Sequence, residues 1–324
     1  MFYNIYRFIC NQYKKMFTKV SVKSCATIAN VVCGFDVLGF AVINPYDEFT
    51  ISFSNTKGVT IINLDEYNLP TNPTENICGV ALQAMLNVLP NVIGFKIECN
   101  KKIKPGSGLG SSSSSAAGVV VAANHLLGNI FTKNELVEFA LEGEALASGS
   151  KHADNIAPTI YGGFTLIRSL NPLDIISIDA PPLFVSIIHP QIEVKTSEAR
   201  KILPQEISLK LAIEQWGNLA ALIAGLQQHD YNLISRSLKD VVVEPYRSQL
   251  IPNYYEVKNA ALQAGALGGG IAGSGPTIFM FSQSEAIAIE VEKAMQQVYS
   301  QTSIPFNTYV SQINKEGVKI VEAV

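Results

Sequence analysis

A glycine- and serine-rich stretch at residues 104–115 leads directly into the small apolar residues from Ala116 to Leu127. Glycine lets a backbone approach a ligand closely, and a serine placed before a helix caps it. The N–H groups in the first turn of a helix have no acceptor within the helix and lie at the positive end of its dipole. Such a turn binds anions, so the stretch predicts a cradle for a polyphosphate, most simply the phosphates of ATP.

Three other interpretations of the glycines are weaker. A flexible linker is not normally followed by so apolar a helix. The Walker phosphate loop needs a lysine after its last glycine, whereas Gly110 is followed by serine. A second cluster, from Gly268 to Gly273, matches the dinucleotide pattern but precedes the strand-like run from Thr277 to Phe281. That pattern must open a helix, so we reject dinucleotide binding.

Polar residues beyond the serine run could supply a metal ligand and a substrate pocket. Phosphoryl transfer needs a divalent cation held by few carboxylates and hydroxyls, and Glu144 with a loop serine fits that need. The stretch from His152 to Asn155 offers several donors and acceptors. A solvated helix glutamate and an Asx-type turn that caps a helix are the alternatives, and the residues alone leave them open.

Arginine is scarce, and two of the five arginines, Arg200 and Arg247, end non-repetitive polar segments. A guanidinium binds a carboxylate through two parallel hydrogen bonds, so the two would suit a substrate that carries a carboxylate. Surface ion pairs with Glu198 and Glu244 are at least as compatible with the spacing.

Composition limits the class of protein. The chain has 324 residues, 48% of them apolar, which is enough for two domains. A formal net charge of −3 argues against a nucleic-acid partner. Five cysteines without a CxxC pair indicate a reducing compartment. Residues 1–15 are too short and polar for a membrane span and lack a secretory layout, so we expect a disordered or wrongly assigned leader and a cytoplasmic protein outside the membrane.

The elements that must position these residues interleave without regular β–α–β repeats, which is typical of an α+β fold. The pattern predicts helices at 76–88, 111–127, 133–147, 206–227, 230–239, 253–264 and 285–298. It predicts strands near 19–24, 37–43, 49–53, 59–62, 95–99, 163–168, 183–188, 277–282 and 305–311, and a polar loop at 148–155. Prolines between Asn171 and Pro182 indicate a boundary between an N-terminal domain at 16–175 and a C-terminal domain at 176–324.

From Val20 onwards the sequence resembles the GHMP small-molecule kinases, named after galactokinase, homoserine kinase, mevalonate kinase and phosphomevalonate kinase. Within that superfamily it resembles the homoserine kinase family. The segments that carry the resemblance are 26–39, 105–115, 144–158, 196–200, 243–247 and 265–276. The phosphate loop marks only the superfamily, and the other five are typical of the family. The resemblance implies a ribosomal protein S5 domain 2-like N-terminal domain and a ferredoxin-like C-terminal domain.

The resemblance also implies that MgATP phosphorylates the hydroxyl of L-homoserine, a step towards threonine. ATP would be bound by Lys104, Pro105, Gly106, Ser107, Gly108, Leu109, Gly110, Ser111, Ser112, Ser113 and Asn76. Ser112 and Glu144 would hold Mg²⁺. The homoserine pocket would contain Asn30, Asp36, His152, Asn155, Arg200, Arg247 and Gly273. The arginines would meet the substrate's carboxylate and Asp36 its ammonium, and by analogy with relatives we expect a homodimer.

Asn155 stands where mevalonate-type relatives carry an aspartate that takes the substrate's proton. An amide is no base at neutral pH, so we expect direct transfer without a protein general base, with Asn155, Glu144 and Ser112 as the catalytic residues. There are two alternatives. The first is another kinase of the superfamily, acting on mevalonate or a diphosphocytidyl sugar alcohol, and the second is an inactive relative that senses a ligand. Asn155 and the two arginines weigh against the first, and the intact phosphate and magnesium positions weigh against the second.

The chain also departs from the family pattern in three places. Cys25 replaces the usual proline, and Val31-Val-Cys-Gly34 replaces a Leu-Gly-Pro-Gly run, so the turn that presents Asp36 differs. The serine run at 111–115 is longer than usual, which leaves several hydroxyls as candidates for the magnesium ligand.

Overall fold

The structure, a computed structural model, describes residues 17–90 and 93–324, and the leader expected at residues 1–15 lies outside these ranges. Its strands are β1 (Lys19–Ala29), β2 (Leu38–Ser54), β3 (Gly58–Asn63), β4 (Gly94–Asn100), β5 (Phe164–Leu170), β6 (Leu173–Ile178), β7 (Phe184–Pro190), β8 (Gly268–Ile271), β9 (Ile278–Ser282), β10 (Phe306–Gln312) and β11 (Lys319–Ala323). Its helices are α1 (Ile77–Val88), α2 (Ser111–Leu126), α3 (Lys133–Ser148), α4 (Ala153–Tyr161), α5 (Thr196–Lys201), α6 (Leu209–Gln228), α7 (Tyr231–Ser237), α8 (Glu244–Arg247), α9 (Tyr254–Gln263) and α10 (Glu285–Ser300).

Within the described ranges the first sheet has seven strands: five follow the order β11-β1-β2-β4-β3, β5 pairs with β2, and β6 pairs with β5. Residues alternate between its faces, so Val20 and Val22 of β1 pair with Ile51 and Phe49 of β2, and all four are buried. β11 pairs with β1, so the C-terminal end of the chain completes the sheet that the N-terminal residues begin. The predicted boundary between an N-terminal domain at 16–175 and a C-terminal domain at 176–324 stays a prediction. Strand β11 belongs to the second range but pairs with β1 of the first.

Helix α2 lies close against the first sheet because its contact face is made of small residues. Ala116, Ala117 and Gly118 are buried there. A Cβ on Gly118 would lie 2.7 Å from Cδ2 of Phe49 and 2.9 Å from Cβ of Ser24. This close packing fixes the start of α2, and therefore the glycine- and serine-rich loop that opens it.

The second sheet has the antiparallel order β10-β7-β9-β8 and shares an apolar core with the first. Phe40 of β2 contacts Phe279 and Phe281 of β9, with ring centroids 5.7 and 5.0 Å apart, and Phe164 of β5 at 4.9 Å. All four rings are buried. Since one core joins the two sheets, their packing sets the shape of the cleft between them.

Helices cover both faces of the second sheet. Leu222 and Leu226 of α6 belong to the core shared with the first sheet, whereas Val257 of α9 and Val291 of α10 pack on the opposite face. Among the residues that the structure describes, no helix combines the length and apolar character needed to cross a membrane.

The mixture of helices and antiparallel strands confirms the predicted α+β class, one local prediction was wrong, and strand β8 was not predicted. The predicted polar loop at 148–155 ends in helix α4, whose Pro158 weakens the helical signal in the sequence. The glycines after Leu267 form strand β8, although glycine disfavours strands. A Cβ on Gly269 would lie 2.0 Å from the carbonyl oxygen of Phe279, so close approach of the backbones requires glycine there.

We expect Gly118→Ala to destabilise the protein and Gly217→Ala to stabilise it. Gly217 lies within α6, and an added Cβ there would meet no atom within 4 Å, so alanine should gain about 0.5–1 kcal/mol from its helix propensity. At Gly118 the clash with Phe49 should outweigh that gain and lower the free energy of unfolding by roughly 1–3 kcal/mol. Urea unfolding of both variants measures this, and a Gly118→Ala protein as stable as wild type would contradict the close packing of α2.

Candidate active site

The loop between β4 and α2 presents the first turn of α2 to a cleft between the two sheets. The helix begins at Ser111, so its first N–H groups have no acceptor within the helix. Gly108 and Gly110 have φ of 83° and 65°. A Cβ would lie 2.6 Å from the carbonyl oxygen of Ala272 at the first position and 2.1 Å from Oγ1 of Thr27 at the second. Glycine is therefore required by both conformation and close approach.

A cavity of about 320 Å³ opens in front of this turn. Most of the predicted site residues line it, and these are Asn30, Asp36, Pro105, Gly106, Ser107, Gly108, Gly110, Ser111, Ser112, Glu144, His152, Asn155, Arg200, Arg247 and Gly273. The structure thus brings the phosphate-loop residues and both arginines to one space, although Pro105 and Arg247 are 142 positions apart in the chain.

Four predicted nucleotide-binding residues are not among the described residues that line the cavity. Lys104 donates a hydrogen bond from Nζ to Oε1 of Gln191 at 2.9 Å. Leu109 belongs to the apolar core. Ser113 is buried and donates to Oε2 of Glu144 at 3.2 Å. Asn76 caps α1 by accepting the N–H of residue 78, so each of the four has a local structural role, and contact with ATP stays a prediction.

Glu144 of α3 lines the cavity together with Ser112. Its neighbour Gly143 lets α3 approach α1, since a Cβ there would lie 2.7 Å from the carbonyl oxygen of Ile77. Carboxylate and hydroxyl oxygens are the ligands that Mg²⁺ prefers. Within residues 17–90 and 93–324, no group of three or more His, Cys, Asp or Glu side chains could hold a metal ion.

Asp36 and Arg200 form a two-pronged ion pair at the cavity. Nη1 and Nη2 of Arg200 lie 3.1 and 2.9 Å from Oδ2 and Oδ1 of Asp36. The turn that presents Asp36 is strained, with φ of 61°, and its backbone N–H donates to Oδ1 of Asn30 at 3.0 Å. Nε2 of His152 lies 3.2 Å from Nη2 of Arg200, and burial lowers the pKa of His152.

Arg247 is buried at the same cavity without an anionic partner. Its Nε and Nη1 donate to the carbonyl oxygens of Ala199 and Gly273 at 3.1 and 2.9 Å. No carboxylate among the described residues pairs with its guanidinium. Burial and then the charge of Arg200 lower the pKa of Arg247 to about 10, so the group stays charged at neutral pH. Both guanidinium groups lie over the ring of Phe35, with the Cζ atoms of Arg200 and Arg247 5.3 and 5.0 Å from its centroid.

Asn155 lies in the first turn of α4 and points its amide into the phosphate-loop region. Oδ1 accepts a hydrogen bond from Oγ1 of Thr27 at 2.8 Å. A Cβ on Gly110 would lie 3.0 Å from the same Oδ1. No described residue accepts from the NH₂ group of Asn155, so that group is the donor available to a ligand.

Sequence reasoning missed two charged residues that line the cavity, Lys101 and Asp154. Asp154 is buried, and among residues 17–90 and 93–324 no side chain pairs with its carboxylate. Burial, then the charges of Asp36 and Glu144, raises the pKa of Asp154 to about 7. In the sequence, only the position of Asp154 next to Asn155 indicated that it could belong to the site.

Lys101 supports the phosphate loop from beneath. Its Nζ bonds Oδ2 of Asp47 at 2.6 Å, Oγ of Ser115 at 2.8 Å and the carbonyl oxygen of Ser111 at 3.1 Å. The side chains of Lys101 and Asp47 are 3% and 0% exposed, so this ion pair is sealed from water. Nothing in the sequence distinguishes Lys101 from Lys102, which is exposed.

Two family descriptions match the chain, "GHMP kinases N terminal domain" at residues 76–163 and "GHMP kinases C terminal" at residues 222–301. A crystal structure of homoserine kinase from Cytophaga hutchinsonii superposes with a TM-score of 0.91 at 47% identity, covering 94% of this chain and 98% of that one. The mevalonate kinase of L. major in complex with R-mevalonate superposes with a TM-score of 0.72 at 14% identity, covering 92% and 97%, which shows a shared fold alone. Fold and site therefore define a GHMP-type small-molecule kinase.

Curated relatives narrow the assignment. Homoserine kinase of Chloroherpeton thalassium is 49% identical over 310 residues, which cover 91% of this chain and 97% of that protein. Homoserine kinase of Methanococcus maripaludis is 40% identical over 302 residues, covering 91% and 99%. The chain belongs to the homoserine kinase family, which confirms the resemblance drawn from its motifs.

Asp154→Asn should stabilise the ligand-free protein, and more so at pH 8 than at pH 5. The carboxyl has its ordinary pKa of 3.8 when unfolded and about 7 when folded, so the folded state holds a proton that the unfolded state lacks between these values. Stability therefore falls as the pH rises through this window and stays low above it, and asparagine removes that loss. We expect the melting temperature of the variant to exceed that of wild type by roughly 5 °C at pH 8.

Thermal melts without nucleotide or Mg²⁺ at both pH values test this expectation. Asp179→Asn serves as the control, because Asp179 is exposed and the pKa of its carboxyl is lowered by the hydrogen bond from His229. If the melting temperature of Asp154→Asn differs from that of wild type by the same amount at pH 5 and at pH 8, the carboxyl of Asp154 is not held protonated in the folded protein.

Proposed function

We propose that this chain transfers the γ-phosphoryl group of ATP to the side-chain hydroxyl of L-homoserine, giving O-phospho-L-homoserine and ADP. One observation carries the proposal: a helix-terminal anion site, a carboxylate–hydroxyl pair and two guanidinium groups line one cavity of about 320 Å³. Membership of the homoserine kinase family supports both the kinase activity and the acceptor.

The first turn of α2 would bind the phosphates of ATP through its N–H groups. Ser112 and Glu144 would hold Mg²⁺. Bound there, the cation would neutralise charge on the phosphates during transfer. Lys101 would keep the turn in place, because its hydrogen bonds to Ser111 and Ser115 tie the two ends of that turn together.

The two arginines would bind the carboxylate of homoserine, and Asp36 its ammonium. Arg247 suits this role because a buried guanidinium without an anionic partner gains most from a carboxylate ligand. His152 would border the same pocket through its contact with Arg200. The NH₂ group of Asn155 would donate to the hydroxyl oxygen that attacks the phosphorus, and so position it.

The transfer needs no protein general base. The amide of Asn155 cannot accept a proton at neutral pH, and a loose transition state requires little activation of the nucleophile. The hydroxyl proton would pass to the γ-phosphate as the new O–P bond forms and the bond to ADP breaks. The protein's contribution is then alignment of the two reactants and neutralisation of charge.

A cytoplasmic location and a homodimer are also proposals. The described cysteines, Cys25, Cys33, Cys78 and Cys99, are free thiols, which supports a reducing compartment. The homodimer rests on analogy with relatives.

Purified protein should release ADP from MgATP with L-homoserine and not with mevalonate or without an acceptor. Arg247→Lys should raise KM for homoserine about 10-fold or more and leave KM for ATP within a few-fold, since an ammonium cannot form the two-pronged contact. Arg236→Lys, an exposed arginine on α7, is the matched control and should match wild type. Wild-type protein without homoserine-dependent ADP release would refute the proposed function.

Asn155→Ala should lower kcat about 10- to 100-fold with little change in KM for ATP, because alignment of the hydroxyl is lost. Asp154→Asn should keep kcat within about 10-fold of wild type. Rapid-quench measurement of the chemical step from pH 6 to pH 9 compares the two variants with wild type. If Asp154→Asn abolished turnover and removed an acidic limb of the pH profile, Asp154 would be a general base and direct transfer would be wrong.

A further inference from the structure

The Asp36–Arg200 ion pair joins two residues that the proposed function assigns to opposite charges of one acceptor. Both residues line the cavity, and both prongs of the pair are formed, at 2.9 and 3.1 Å. The guanidinium edge that would bind a substrate carboxylate is therefore occupied by Asp36. The carboxylate that would bind a substrate ammonium is likewise occupied by Arg200.

Each member of the pair is held in place by contacts outside the pair. Asp36 is anchored through its backbone N–H to Oδ1 of Asn30, whose Nδ2 donates to the carbonyl oxygen of Gly273 at 2.8 Å. Arg200 lies over the ring of Phe35 and beside His152. Their side chains are 34% and 41% exposed, and an ion pair in contact with water contributes little to stability. The pair can therefore separate without either residue losing its position.

Arg247 attracts a substrate carboxylate electrostatically. Its guanidinium is buried, and within residues 17–90 and 93–324 no carboxylate pairs with it. Both guanidinium groups lie within 5.3 Å of the centroid of the same Phe35 ring, and burial and then the charge of Arg200 lower the pKa of Arg247. A carboxylate placed between them would relieve this repulsion and offer Arg200 a partner other than Asp36.

We propose that L-homoserine binds by ion-pair exchange, an inference that rests on the proposed function. The carboxylate of the amino acid replaces Asp36 at Arg200 and is shared with Arg247, while its ammonium replaces Arg200 at Asp36. The zwitterion brings no net charge, and after the exchange every charge has an opposite partner. An alcohol with a carboxylate but no ammonium leaves Asp36 unpaired. The internal ion pair is thus a selectivity device for amino acids.

The test compares L-homoserine with 4-hydroxybutyrate, which keeps the hydroxyl and the carboxylate but has no ammonium. Wild type should prefer homoserine in kcat/KM by about 100-fold or more. In Asp36→Asn this preference should fall to about 10-fold or less, because activity on homoserine drops while activity on 4-hydroxybutyrate is kept or rises. An equal loss on both acceptors would overturn the exchange, since the pair would then be structural.

A matched control and a structural readout accompany the kinetics. Arg168→Gln/Asp174→Asn removes an exposed Arg–Asp pair in the β5–β6 hairpin and should leave the preference unchanged. If Asp36→Asn fails to fold, a crystal structure of wild type with L-homoserine decides: the Arg200–Asp36 separation should exceed about 4 Å. Persistence of both prongs beside bound homoserine would overturn the exchange. Wild type without homoserine turnover would count against the proposed function itself, whereas equal losses in an active enzyme count against the exchange alone.

Discussion

The carbonyl oxygen of Gly273 is the point on which the geometry of the cavity depends. It accepts hydrogen bonds from Nδ2 of Asn30 at 2.8 Å and from Nη1 of Arg247 at 2.9 Å. The N–H of Gly273 in turn donates to the carbonyl oxygen of Ala29 at 3.3 Å. Asn30 positions Asp36, so one carbonyl group in the turn between β8 and β9 holds both an anionic and a cationic contact of the cavity. These groups meet only when the two sheets pack together, which makes the site a property of the whole fold.

The same packing leaves charges in the cavity that the protein does not neutralise by itself. Arg247 and Asp154 are buried without an opposite partner among the described residues. Burial of an unpaired charge is costly, and it moves both pKa values towards the neutral forms. By contrast, Lys101 and Asp47, equally buried, satisfy each other beneath the phosphate loop. Among these four buried residues, the unpaired charges of Arg247 and Asp154 therefore lie at the cavity, where ligands can supply counter-charges, whereas Lys101 and Asp47 form a structural pair.

Local patterns predicted the phosphate loop and most elements, and resemblance supplied the distant residues. The start of α2 at Ser111 could be predicted because glycines, serines and small apolar residues follow one another in one continuous stretch, residues 106–118. The scarcity of arginine and the polar segments that end at Arg200 and Arg247 indicated a carboxylate site, but they fitted surface ion pairs equally well, and the motifs of the family were needed to assign both residues to the site. Lys101 and Asp154 were missed because burial distinguishes them from their neighbours, and burial is decided by segments far away in the chain.

The sequence by itself determined the family, the α+β class and a helix N-terminus suited to phosphates, since each depends on the order of nearby residues. Only the tertiary structure decided which charged residues face one another. Asp36 and Arg200 are 164 positions apart, and Lys101 and Asp47 are 54 apart. Partner choice depends on distance and on exclusion of water. The distance between charged groups and their exclusion from water are set by the packing of the two sheets, and neither can be derived from the spacing of residues along the chain.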